Sequence, residues 1–139
     1  DNKSLNKLKK LWKNFGSKIQ IMDAKNHDKI LAITSHLPHL ISYSIVCSSL
    51  NVNAKEKSQI IKFSAGGFRD FTRIAASDAI MWKDIFLNNK INLLKITKEF
   101  EKSLNLIKNY IKKNNSKKLE EIFLRTKKIR KLIEKEKQE

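Results

Sequence analysis

Two short stretches hold the side chains best suited to chemistry. "TSHLPHL", residues 34–40, sets His36 and His39 three apart around Pro38, with Ser35 four residues before His39. "GFRDFTR", residues 67–73, sets Arg69 and Arg73 four apart with Asp70 between them. On a helix the i, i+4 spacing puts Ser35 and His39 on one face, and Arg69 and Arg73 likewise. A metal site is not expected. Helical zinc sites use histidines four apart plus a third ligand, whereas His27 lies nine residues before His36 and no cysteine or carboxylate lies close to the pair. Two readings remain for the histidines: core residues bonded to backbone, or one wall of a polar cleft. Ser35, sharing the face of His39, points to the cleft. The arginine pair costs roughly 0.2–0.5 kcal/mol as stacked like charges, so it needs a reason. Asp70 is spaced to pair with Arg73 at i, i+3. Gly66 and Gly67 precede this helix, and the free amides of a helix start attract anions. Together these features suit a carboxylate or phosphate ligand; a surface charge cluster is the alternative. Trp82 reads as core or as a flat wall for a ring.

The elements carrying these residues read as helices. Leu5, Leu8, Leu11, Trp12 and Phe15 fall at helical spacing over residues 4–15, and Gly16 ends the run. "KIQIM", residues 18–22, alternates and reads as a short strand with no partner strand in the chain. A helix follows over about residues 27–50, capped by Asn26 or Asp28. Pro38 lies inside it, removes one donor and frees the carbonyl of Thr34, so a kink is expected. Residues 53–63 and 68–77 are short helices separated by the break "SAGG". Asp78 is spaced to cap "AIMWKDIFLNN". A long helix covers about 89–113, and Ser116 is placed to cap the last one, with Glu120 and Glu121 near its positive end.

Composition agrees. The 139 residues suit a single domain, and three glycines with one proline suit helices rather than an all-β fold. The fold class expected is therefore all-α. The net charge of +16 raises nucleic acid or membrane as partners. Yet Arg69, Arg73, Arg125 and Arg130 are the only arginines, and the guanidinium fork is what phosphate and base recognition favours. A solvated lysine surface is the simpler reading. A basic helical nucleic-acid-binding module is the rival; it accounts for the charge but not for the two motifs. The single Cys47 forms no internal disulfide, which suits a reducing cytoplasm, and no signal peptide is recognisable. Residues 30–54 carry no charge and are long enough to span a bilayer, but their serines, histidines and asparagines argue for a helix buried in protein.

"HDKILAITSHLPHLISYSIV" followed by "SAGGFRDFTRIAASDAIMWKDIFLNN" resembles the C-terminal helical domain of the prephenate dehydrogenase family, which includes arogenate and cyclohexadienyl dehydrogenases of tyrosine biosynthesis. The upstream "LKKLWKNFGSKIQIMDAKNHD" resembles the last helix and strand of the family's dinucleotide-binding domain. The resemblance implies a remnant of that domain at residues 1–24 and a multi-helix substrate-binding and dimerisation domain at 25–139. Ser35 and His39 match polar cleft positions of the family, and Arg73 its carboxylate-holding arginine. Arg69 stands where an assisting basic residue is found, Asp70 matches an acid of an ionic network, and Trp82 an aromatic wall. His36 and His27 belong to the motifs and receive no chemistry. The implied function is oxidative decarboxylation of prephenate or arogenate by a cytoplasmic homodimer using NAD or NADP, with neither nucleic acid nor membrane as partner. The resemblance implies no catalytic residue in this chain, because the family's catalytic histidine belongs to the nucleotide-binding domain. There are departures. Glycine occurs only at 16, 66 and 67, so no G-x-G-x-x-G pyrophosphate loop exists, and the fragment alone is expected to be inactive. Ala79 stands where many relatives have proline.

Overall fold

Short polar side chains start most of the helices. Asp1 accepts from the amide of Lys3 at 2.9 Å, Asp23 from Asn26 at 2.9 Å, Asp78 from Met81 at 2.7 Å and Asn115 from Lys118 at 3.1 Å. Asn53 and Glu56 form a reciprocal capping box. Each such cap stabilises its helix by about 1 kcal/mol. The computed structural model describes residues 1–136. Its α-helices are α1 (Asn2–Asn14), α2 (Ala24–Leu31), α3 (Leu37–Leu50), α4 (Ala54–Phe63), α5 (Gly66–Thr72), α6 (Ala79–Asn88), α7 (Lys90–Lys112) and α8 (Ser116–Lys135). The fold is all-α, with no strand among the described residues.

Three local expectations are corrected. Residues 17–23 are irregular rather than a strand; their alternation lacks a neighbouring ladder to bond, and a lone strand cannot satisfy its own backbone. Asp23, not Asn26 or Asp28, caps α2, so the helix starts a turn earlier. Asn115 caps α8, with Ser116 as its first residue. Gly16 does end α1, at φ 77°, in the left-handed region glycine enters without cost. Asn114, at φ 49°, makes the corresponding turn between α7 and α8.

A local widening of the helix precedes Pro38. The five residues Ala32–His36 form a π-helical turn joining α2 to α3, and the amide of Leu37 reaches back to the carbonyl of Ala32. Pro38 is the second residue of α3, where it cannot bond the carbonyl of Thr34, and the wider turn lies directly ahead of that missing bond.

Two long-range bonds fix α3 to the segment carrying the arginines. The hydroxyl of the fully buried Ser42 donates to the carbonyl of Phe71 in α5 at 3.0 Å. Tyr43 donates to the carbonyl of Ser77 at 3.4 Å, just beyond the 3₁₀ turn Arg73–Ala76. Replacing Ser42 by alanine is expected to cost about 1 kcal/mol, read as a lower urea midpoint at unchanged slope.

The chain divides into two compact units, Asp1–Asn92 and a second beginning at Leu93. In the second, α7 and α8 flank a groove of about 470 Å³ lined by Leu106, Ile107, Ile122, Ile129 and Ile133 among others. The accessible surface of 12,050 Å² is well above the roughly 9,000 Å² that two separate compact globules of these sizes would expose together. Much of the excess is apolar: Phe15, Phe63, Ile91, Leu94, Phe123 and Ile133 all stand in solvent. Such surface is built to be covered. The run Ala24–Ser49 belongs to the same pattern. It is apolar and long enough by composition to cross a membrane, and only 17% of its most apolar window is buried within the chain. Burial of this helix in protein, expected from its polar load, is therefore only begun by the chain itself.

Candidate functional site

The centre of the first unit is an aromatic stack. Trp82, on α6, is buried, and the ring of His39 lies flat on it at 3.5 Å between centroids and 18° between planes. Phe86, one turn after Trp82, meets the indole edge-on at 5.7 Å and faces Tyr43 at 6.3 Å. Trp82 is thus a core residue on one side and a plate on the other. Its indole N–H has no acceptor among the described residues.

The backbone decides which nitrogen of each histidine carries a proton. His39 Nδ1 lies 2.9 Å from the carbonyl of Ser35. A carbonyl only accepts, so Nδ1 holds the hydrogen and Nε2 keeps an open lone pair. His36 is the reverse. The Asn89 amide nitrogen donates to the carbonyl of Asp28 at 2.7 Å and lies 3.2 Å from His36 Nδ1. Its second hydrogen makes Nδ1 the acceptor and leaves the His36 proton on Nε2. Asn89 Oδ1 accepts from Asn92 at 2.8 Å, which blocks the flipped orientation. His36 is buried, and desolvation holds its pKa below the ordinary imidazole value despite the nearby Asp28 carboxylate.

The two histidines three apart therefore have different work. His36 is an internal hydrogen-bonding residue. His39 presents a half-buried ring with Nε2 open for a ligand, and it keeps its bond to Ser35 whether neutral or charged. Ser35, His39 and Trp82 are brought together. Arg69 and Arg73 are both exposed, on α5 and at the start of the 3₁₀ turn, the segment that Ser42 and Tyr43 bond to α3. Asp70 is exposed as well, and no ion pair joins it to either arginine among the described residues. The i, i+3 spacing of Asp70 and Arg73 permits a contact without compelling one; both side chains stand in solvent, Asp70 on α5 and Arg73 at the start of the 3₁₀ turn. Gly66 and Gly67 open α5 with free space where a Cβ would stand, so nothing within this chain presses on them.

Sequence reasoning missed Asn89, Ser42, Tyr43 and Phe86. Ser35, His39 and Ser42 recur at i, i+4 and i+7, a polar stripe in an apolar run that could have flagged Ser42. Nothing local marks Asn89, which is 61 residues from the carbonyl it meets. No cluster of three or more potential metal ligands occurs among the described residues.

Residues 23–126 match the family described as "Prephenate dehydrogenase, dimerization domain". The chain is 38% identical over 119 residues to a cyclohexadienyl dehydrogenase of Zymomonas mobilis, covering 86% of this chain and 41% of that protein. It is 39% identical over 127 residues to a prephenate dehydrogenase of Lactococcus lactis, covering 91% of this chain and 36% of the relative. A crystal structure of prephenate dehydrogenase from A. aeolicus, in complex with hydroxyphenyl propionate and NAD+, superposes with a TM-score of 0.87 at 39% identity, over 96% of this chain and 46% of that one. An arogenate dehydrogenase from Synechocystis, at 21% identity and a TM-score of 0.84, shares the fold. The chain spans less than half the length of each of these relatives.

Proposed function

The chain belongs to the prephenate dehydrogenase family, and on that premise we propose that it is the substrate-binding and dimerising part of a cytoplasmic, NAD- or NADP-dependent enzyme of tyrosine biosynthesis. The reaction is oxidative decarboxylation of prephenate, or of its amino-acid counterpart arogenate. A hydride passes from the ring carbon bearing the hydroxyl to the nicotinamide, the hydroxyl becomes a carbonyl, and loss of carbon dioxide returns an electron pair that aromatises the ring. With no glycine-rich phosphate loop and only Gly16, Gly66 and Gly67 available, this chain does not hold the cofactor's pyrophosphate; that task falls to a nucleotide-binding domain outside it. Residues 1–24 are the last helix and connecting segment of that domain. Its sheet would cover Leu8, Trp12 and Ile21, which line an open groove of about 530 Å³.

The observation that carries the reading is the His39–Trp82 stack beside a segment bearing two arginines. Prephenate is a planar-faced ring with two carboxylates. His39, backed by the buried Trp82, offers the flat wall for such a ring, and its open Nε2 and the hydroxyl of Ser35 are polar contacts for the substituents. Arg73, assisted by Arg69, neutralises a carboxylate, which makes the cost of two adjacent like charges intelligible. Asp70 closes the ionic network only when substrate or the other domain supplies the missing geometry. The chain contributes orientation and charge neutralisation; no residue in it is assigned to proton or hydride transfer. The test is reduction of nicotinamide by the intact enzyme with prephenate or arogenate and NAD+ or NADP+, followed at 340 nm. No turnover with any of the four pairs overturns the reading.

The uncovered apolar faces support a homodimer. At micromolar concentration the chain is expected to sediment at twice its own mass. A strict monomer at high concentration would count against the dimerising role.

A further inference from the structure

We propose that His36 and Asn89 form an acid-releasable latch that positions the Trp82 plate, making His36 a positioning residue that does not itself touch substrate. The substrate side of this proposal rests on the reading above; the latch itself rests on geometry alone. Asn89 ends α6 seven residues after Trp82, two turns along the same helix. Its side chain ties that end of α6 to the carbonyl of Asp28 in α2 and to His36 in the π-helical turn. His36 also meets Trp82 edge-on, at 6.2 Å and 83°. The latch and the His39 stack thus hold α6 at two points, one against α2 and the π-helical turn and one against α3, and Trp82 keeps its place through both.

A proton opens the latch. Once His36 is charged, Nδ1 carries a hydrogen and faces the Asn89 amide hydrogens, donor against donor. The amide cannot invert, because its oxygen would then meet the Asp28 carbonyl and Asn92 would lose its acceptor. The charges around His36 are few. The Asp28 carboxylate, itself 3.1 Å from His27 Nδ1, favours the proton; His27 and His39 oppose it; Trp82 and Asn89, facing it from α6, carry none. Burial outweighs Asp28, so the folded protein binds this proton less readily than the unfolded chain does. The latch's contribution to stability is therefore complete above the ordinary imidazole pKa of about 6.5 and is lost as pH falls through the lower folded value.

The experiment uses the intact enzyme with ¹⁵N-labelled histidine, asparagine and tryptophan. At pH 8 the NMR spectrum should show His36 protonated at Nε2 and His39 at Nδ1. On acidification the Asn89 side-chain amide and the Trp82 indole signals should move with the midpoint of His36. KM for prephenate should rise about tenfold through that same midpoint, the effect of losing one or two hydrogen bonds, while kcat stays within about twofold. His36→Asn keeps an acceptor near the Nδ1 position and cannot titrate. It should match the parent at pH 8 and lose the component that follows His36. A His36 proton found on Nδ1, or an unchanged Trp82 titration in His36→Asn, overturns the latch. If the enzyme turns over neither substrate, the functional reading fails while the NMR outcomes still decide this one.

Discussion

Arg73→Ala in the intact enzyme is expected to raise KM for prephenate by about 10- to 100-fold and leave kcat within a few-fold, the loss of a charge-assisted bond to a carboxylate worth roughly 1.5–3 kcal/mol. The reasoning starts from exposure. Arg73 opens the 3₁₀ turn, stands in solvent and makes no ion pair with Asp70 among the described residues. Its removal therefore should not unfold the domain, and urea midpoints should hold to within about 0.5 kcal/mol. A lysine at 73 restores charge but not the planar fork, so it should recover only part of the affinity. Arg69→Ala should cost less, because its place is one turn earlier and its role is to assist. An Arg73→Ala enzyme with unchanged KM would remove the residue from the site and, with it, the explanation for two adjacent arginines.

The contrast between what local signals revealed and what they did not follows from the range of each interaction. Helix starts at Asn53 and Asp78, the end at Gly16 and the disturbance at Pro38 are set by neighbours within five residues, so they are readable in order along the chain. The strand expected at residues 18–22 failed for the complementary reason: alternation states a preference, and only a partner ladder turns it into structure. The site shows the same division. Ser35 and His39 share a helix face and could be paired from spacing. Trp82 lies 43 residues beyond His39, and only the family resemblance put the two together. His36 and His39 look alike in sequence, and their opposite tautomers come from a distant Asn89 and a local carbonyl. Asp70 and Arg73 have the spacing of an ion pair, yet both stand in solvent and make none among the described residues; spacing permits such a contact and does not compel it.

Trp82→Ala should produce the largest loss of stability of any single change in the first unit, about 3–5 kcal/mol by urea denaturation. Among the described residues Trp82 is the one large aromatic side chain buried there, and His39, His36 and Phe86 all pack on it. Alanine leaves a cavity between α6 and α3 and takes away the surface on which His39 is stacked. Trp82→Phe separates the two consequences. It fills part of the volume, so roughly half the stability should return. It presents a smaller face, so His39 remains less well placed, and KM should stay several-fold above the parent even where the fold is restored. A loss below about 1 kcal/mol in Trp82→Ala would mean that the indole is not part of a packed core. Full recovery of both stability and KM in Trp82→Phe would mean that only volume matters at this position. The intermediate outcome, fold regained and affinity not, is the one that a residue serving as core on one side and plate on the other requires.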